Sequence, residues 1–257
     1  MKTCTVGKIS DHLFQMNEQN EAGPYVDAYL VIGEKKAVVI DALQDAENLY
    51  EAVRKITDKP LEMLITHAHP DHAGKSMEIF HDHGVPIWIH PDDLPTFAMF
   101  SMSYPEDYFS YLKDGMTFDL GGIKLETHLI AGHTKGCVVF LDRKHQLLFS
   151  GDSIGSGHFW MQLPHSVPLS EFAKNLAAFY HKVDGLGDLK IYPGHRNQSP
   201  VQLNLQYIKD TLALTQLILD GEYTGAAREM YFQGGLLPYC EASLGMMLSY
   251  CYDPENL

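Results

Sequence analysis

Between Ile65 and Gly74 the chain reads Thr66-His67-Ala68-His69-Pro70-Asp71-His72-Ala73, which places four metal-ligating side chains within six residues. The run Leu61–Ile65 just before it has the apolar character of a buried strand. If the segment leaves that strand extended, His67 and His69 project to the same side, because side chains alternate with period two. Asp71 and His72 fall at the start of a helical stretch, Ala73–His83, and can face a second point in space. One loop can therefore serve two metal ions, provided that distant segments return to it with the ligands it lacks.

Three downstream segments offer those ligands. Ala131-Gly132-His133-Thr134-Lys135-Gly136 places His133 in a glycine-flanked turn after a strand candidate. Phe149-Ser150-Gly151-Asp152 ends an apolar run in an acid, and Tyr192-Pro193-Gly194-His195 ends another in a histidine. His67, His69 and His133 supply three nitrogens for one ion. Asp71, His72 and His195 supply an oxygen and two nitrogens for another, with Asp152 able to bridge. Imidazole and carboxylate without thiolate suit two Zn²⁺, with Mn²⁺ or Fe as other occupants. This gives five of the chain's 14 histidines a role.

Short apolar runs alternate with amphipathic stretches along the 257 residues. Strand candidates are Tyr29–Ile32, Ala37–Ile40, Leu61–Ile65, Val85–Ile89, Ile123–Leu129, Cys137–Leu141, Gln146–Phe149 and Leu189–Tyr192. Helix candidates are Ala46–Ile56, Ala73–His83, Leu169–Val183 and Val201–Leu219. No linker or low-complexity tract divides the chain, so residues 1–257 are expected to form one domain with a C-terminal extension at 222–257. In the tail Ser243–Leu257, Leu244, Met246, Leu248, Tyr250 and Tyr252 alternate with other residues, as in a final strand. Pro91–Met116 is rich in aromatics and irregular, which makes it the expected lid or pocket wall.

HxHxDH, then GHT, GD and PGH, in this order, resembles the metallo-β-lactamase-fold hydrolase superfamily over roughly residues 5 to 220. The upstream Ala37-Val38-Val39-Ile40-Asp41 matches the first motif of that family, where the acid supports the ligands from behind. The resemblance implies an α+β, αββα sandwich: two mixed sheets face to face, helices outside, metals at one edge. Asp152, where true β-lactamases commonly carry Cys or Ser, resembles the glyoxalase II, lactonase and phosphodiesterase branches. The implied activity is binuclear hydrolysis of a small ester, thioester or lactone by a metal-bridging hydroxide, with Asp71 aiming the nucleophile. A phosphodiester hydrolase and an Fe-dependent, sulfur-dioxygenase-like oxidoreductase are the alternatives. Glutathione thioesters fit poorly, because Arg228 is the only basic residue from Gly221 to Leu257.

Tyr104, Tyr108, His158, Trp160 and Lys135 are the candidate substrate contacts. Nineteen Lys and Arg against 33 Asp and Glu leave a formal charge of −14, which disfavours nucleic acid and anionic membrane surfaces as partners. The expected partner is a small-molecule substrate; the number of subunits is not legible. The absence of an apolar leader and four scattered cysteines read as a cytoplasmic chain with reduced thiols.

Overall fold

The run Ala37-Val38-Val39-Ile40 has no polar position, and all four residues are buried. Because side chains alternate across a strand, such a run needs cover on both faces. The computed structural model describes residues 2–105, 107–155, 157–199, 201–246 and 249–257, and it supplies that cover. Ala37 and Val39 pack with Leu49, Val53, Met77 and Phe80, while Val38 and Ile40 pack with Phe140 and Phe149 from across the molecule.

The first sheet holds β1 (Cys4–Lys8), β2 (Leu13–Asn20), β3 (Gly23–Ile32), β4 (Ala37–Ile40), β5 (Leu61–Leu64), β6 (Ile87–Ile89) and β7 (Ser110–Tyr111), in that order. Pairings are antiparallel as far as β4 and parallel beyond it. The second sheet contains β8 (Thr117–Asp119), β9 (Lys124–Leu129), β10 (Val138–Asp142) and β11 (Leu147–Gly151), joined by β13 (Lys190–Pro193) and β14 (Leu203–Asn204). Its order is β14-β13-β11-β10-β9-β8, and only β11 and β13 run parallel. Helices α1 (Leu49–Ile56), α2 (Ser76–Asp82) and α3 (Leu94–Met99) contribute to the apolar cluster on the outer side of the first sheet. Helices α4 (Leu169–Val183) and α5 (Leu205–Leu219) do so for the second. The layers are those of the expected αββα sandwich.

The C-terminal region does more than extend the chain. β15 (Ala226–Phe232), β16 (Gly235–Ala242) and β17 (Ser249–Tyr252) form a third sheet with β12 (His158–Met161), in the order β12-β17-β16-β15. Cys240, Ala242, Tyr250 and Tyr252 join Phe159 and Met161 in the core under α4 and α5. The expected tail strand is thus confined to β17; Leu248 lies outside the described residues.

Helix starts differ from expectation, and the reasons are local. The expected helix Ala73–His83 begins at Ser76, because residues 72–75 spend their backbone groups elsewhere. His72 O accepts from Ala42 N at 2.7 Å, and Lys75 N donates to Gln44 O at 2.9 Å. A Cβ at Gly74 would lie 2.0 Å from Leu43 O, so only glycine permits this approach. The expected Val201–Leu219 begins at Leu205, since Leu203–Asn204 pairs with β13 and the Asn204 side chain caps Gln206 N at 2.9 Å. The expected Ala46–Ile56 begins at Leu49. Ala46 N instead donates to Glu18, and the Asn48 side chain pairs with the Cys4 backbone.

Glu18 on β2 is buried, and its Oε2 accepts from Gln44 N, Asp45 N and Ala46 N at 3.0, 2.8 and 3.1 Å. It therefore shapes the loop that follows Asp41. Glu18→Ala leaves three donors without their acceptor, and a loss of about 3 kcal/mol is expected from the cost of such groups. Urea denaturation measures it; an unchanged midpoint would show that other contacts hold the loop.

Candidate metal centre

The ligand-bearing loops follow strand ends of both sheets. β5 leads into His67–His72, the β9–β10 turn carries His133, β11 runs into Asp152, and β13 runs into His195. β3 anchors the last of these. Tyr29 OH donates to Pro193 O at 2.7 Å, Asp27 N donates to Gly194 O at 2.7 Å, and Asp27 Oδ2 accepts from Arg196 N at 2.8 Å. A Cβ at Gly194 would lie 2.2 Å from His72 Cε1 and 2.6 Å from Asp152 Oδ1, so the loop closes tightly over the cluster.

The seven expected ligands converge. His69 Nδ1 lies 3.1 Å from His67 Nε2 and 2.8 Å from His133 Nε2. His195 Nε2 lies 3.3 Å from Asp71 Oδ2, and His72 Nε2 lies 4.0 Å from it. Asp152 stands between the two groups. Its Oδ1 is 3.3 Å from His72 Nε2, and its Oδ2 is 3.5 Å from His195 Nε2 and 3.8 Å from His133 Nε2. Three sets have ligand atoms within 4.8 Å of one another and can hold a metal ion: His67/His69/His133, His67/His72/Asp152 and Asp71/His72/His195.

Outer hydrogen bonds fix which nitrogen each ring turns inward. A backbone carbonyl only accepts, so His133 Nδ1 donates to Trp160 O and His195 Nδ1 donates to Tyr25 O, each at 2.6 Å. Asp41 Oδ2 accepts from His72 Nδ1 at 2.8 Å and from Thr66 Oγ1 at 2.9 Å. With its proton given to Asp41, Thr66 Oγ1 accepts from His67 Nδ1 at 3.1 Å. Held this way, the neutral rings of His67 and His133 turn bare lone pairs into one small space, and the inward nitrogens of His72 and His195 face the carboxylates there. His72 Nε2 is buried there beside Asp152 Oδ1. Converging lone pairs repel unless a cation sits among them, so the donor set fits divalent metal.

The electrostatics agree. Burial depresses the pKa of His67, His69 and His133, which keeps them neutral. Burial alone would depress His72 and His195 as well, but nearby carboxylates outweigh it. Asp152 and Asp71 carry His195 up to about 10. Burial would raise Asp71 and Asp152, but the positive charges of His72 and His195 hold both below the ordinary carboxylate range. With protein groups alone, two imidazolium charges balance the carboxylates; a bound cation would take over that charge and displace those protons.

Two positioning residues carried no sequence signal. Buried Asp93, just ahead of α3, accepts from Ala68 N at 2.5 Å and from Gly136 N at 3.0 Å. It thereby ties the loop of His67 and His69 to the turn of His133. His165 Nε2 lies 2.6 Å from His69 Nε2, the ring nitrogen that faces away from His67 and His133. Burial brings His165 down to about 4, so it is neutral and able to accept there.

A pocket of about 310 Å³ opens over the cluster. His158 and Trp160 line it. Tyr25, Gln44, Phe100, Leu163, Gln198 and Phe232 also line it and were not anticipated. Tyr104, Tyr108 and Lys135 are not among its lining residues. The two tyrosines pack against the core beside Phe97 and Phe109, where their rings find apolar cover, and Lys135 faces a separate groove. Pro91–Met116 is thus mostly core cover, with Phe100 as its contribution to this pocket.

A family model described as the metallo-beta-lactamase superfamily matches residues 23–195. The hydroxyacylglutathione hydrolase GloC of Haemophilus influenzae is 27% identical over 137 residues, covering 48% of this chain and 64% of that protein. The match therefore spans less than two thirds of that relative's length. The acyl-coenzyme A thioesterase MBLAC2 of Homo sapiens is 27% identical over 228 residues, covering 74% of this chain and 80% of that protein. A solved metallo-beta-lactamase from Pontibacter korlensis superimposes with a TM-score of 0.67 at 21% identity, covering 83% of this chain and 99% of that one. At that identity the likeness is one of fold.

Asp93→Ala removes the acceptor shared by the two ligand loops. Metal affinity is expected to fall about 10- to 100-fold, the usual effect of losing an outer partner, in competition against a chromophoric chelator. Unchanged affinity in a folded variant would show that the loops hold their geometry without Asp93.

Proposed function

The chain belongs to the metallo-beta-lactamase superfamily, and from that premise we propose that it is a binuclear metal-dependent hydrolase of small esters, thioesters or lactones. The observation that carries the reading is the convergence of five imidazoles and two carboxylates on one space, each ring turned by an outer partner. His67, His69 and His133 would hold one Zn²⁺, and Asp71, His72 and His195 a second, with Asp152 shared between them. Bound there, such a pair supplies Lewis acidity toward a substrate carbonyl and toward water.

The protein's own groups complete the chemistry. In this reading water is the nucleophile, and the described residues lining the pocket include no Ser, Thr or Cys. Asp71 lines the pocket, and its Oδ2 accepts from Tyr25 OH at 3.2 Å. From this position Asp71 accepts a hydrogen bond from the attacking water and orients it. Burial and the Asp71 charge raise the Tyr25 pKa, which keeps its hydroxyl a donor. Two relatives, an acyl-coenzyme A thioesterase and a hydroxyacylglutathione hydrolase, favour a thioester among the three bond types.

We take residues 1–257 as one catalytic unit, because Trp160 of β12 and Phe232 of β15 line the same pocket as the ligands. All four cysteines are buried, and the reading includes a cytoplasmic setting. Among the described residues no helix is long and apolar enough to cross a membrane.

His69→Ala and Asp152→Ala each remove a ligand. Both are expected to reduce thioester hydrolysis to background and to lower bound zinc in elemental analysis. Retained turnover with unchanged metal content in both variants would sink the reading.

A further inference from the structure

We propose that the pocket selects thioesters with an apolar acyl group on a carrier that bears no negative charge; this rests on the hydrolase reading above. The apolar wall is assembled from three distant segments: Phe100 after α3, Trp160 with nearby Leu163, and Phe232 at the end of β15. One hydrogen bond joins two of them. Gln233 Nε2 donates to Met99 O at 2.9 Å, so the residues next to Phe232 and Phe100 are tied together. The tip of the β15–β16 hairpin is thereby latched to the end of α3, and both phenyl rings face the same cavity.

The charges around this cavity favour a neutral carrier. No Lys or Arg is among the described residues lining it, and none occurs among the six residues outside the described set. Lys135, two residues beyond His133, faces the separate groove, and three other nearby cations have partners of their own. Lys75 pairs with Asp45 at 3.0 Å, Arg228 with Glu241 at 3.2 Å, and Arg196 Nη2 donates to Gln202 at 3.1 Å. Carboxylates or phosphates on a carrier, remote from the reacting carbonyl, would lose water and gain no cation, which is costly. The −14 charge of the chain repels them further. Gln44, His158 and Gln198 instead offer hydrogen-bonding groups suited to an amide. In the reaction the C–S bond breaks and a C–O bond forms: thioester and water give a carboxylate, a thiol and one proton.

The test uses the zinc-loaded protein and 4-phenylbutanoyl thioesters of N-acetylcysteamine, glutathione and coenzyme A. Calorimetry in parallel measures binding of the corresponding non-hydrolysable thioethers. The N-acetylcysteamine compound is expected to lead both anionic carriers by at least about tenfold in kcat/KM and in affinity, within the range that one mismatched site contact produces. Phe232→Ala and Phe100→Ala are expected to raise KM for the phenylbutanoyl substrate about tenfold, and to erode its preference over the acetyl ester, with zinc content and melting temperature retained. If glutathione or coenzyme A compounds bind or react at least as well, the inference is overturned while the hydrolase reading stands. If the neutral thioether binds selectively but no thioester is cleaved, the hydrolase reading fails and the inference about what the pocket accepts survives.

Discussion

Lone pairs of neutral imidazoles aimed at one another are unfavourable, and this protein holds several of them so aimed. The outer hydrogen bonds impose it: Trp160 O on His133, Tyr25 O on His195, Asp41 on His72, and Asp41 through Thr66 on His67. On His67 and His133 the bond takes a proton outward and leaves an acceptor facing inward; on His72 and His195 the inward nitrogen shares its proton with the carboxylates, and a bound cation would displace that proton. The fold reads as the means of holding these outer partners still. β3 tethers the His195 loop, Asp93 joins the loops of His69 and His133, and Glu18 sets the loop after Asp41.

The same constraint explains the layered architecture. Ligands come from strand ends of two sheets, so their spacing depends on how those sheets meet. The contact is made by Tyr29, Val38, Ile40, Leu64, Phe140, Phe149 and Tyr192, all buried between the sheets. Four of the strands that bear these residues, β3, β5, β11 and β13, also lead to or tether ligand loops. Core packing and site geometry are therefore coupled, and a shift of one sheet would move Asp152 and His195 against His72.

The candidate ligand cluster was legible in the sequence because its densest part is local: four of its members lie within six residues, and the others follow apolar runs. Ala37–Ile40 was legible because burial on both faces removes every polar position. Asp93 and His165 were not, because their partners lie 25, 43 and 96 residues away and their motifs are plain. The third sheet was largely hidden because β15 is mostly exposed and shows no clean alternation. Tyr104 and Tyr108 misled for a related reason: an aromatic-rich stretch does not reveal which rings turn to the core. Phe97 and Phe109 do so with them, and Phe100 turns to the pocket.

The central claim is that this donor set holds two metal ions rather than one or none. Anomalous diffraction at the zinc edge, on crystals of protein loaded with zinc and freed of excess, tests it most directly. Two full peaks are expected, one among His67, His69 and His133 and one among Asp71, His72 and His195, with Asp152 between them. A single peak, or zinc bound elsewhere with these rings unchanged, would contradict the account.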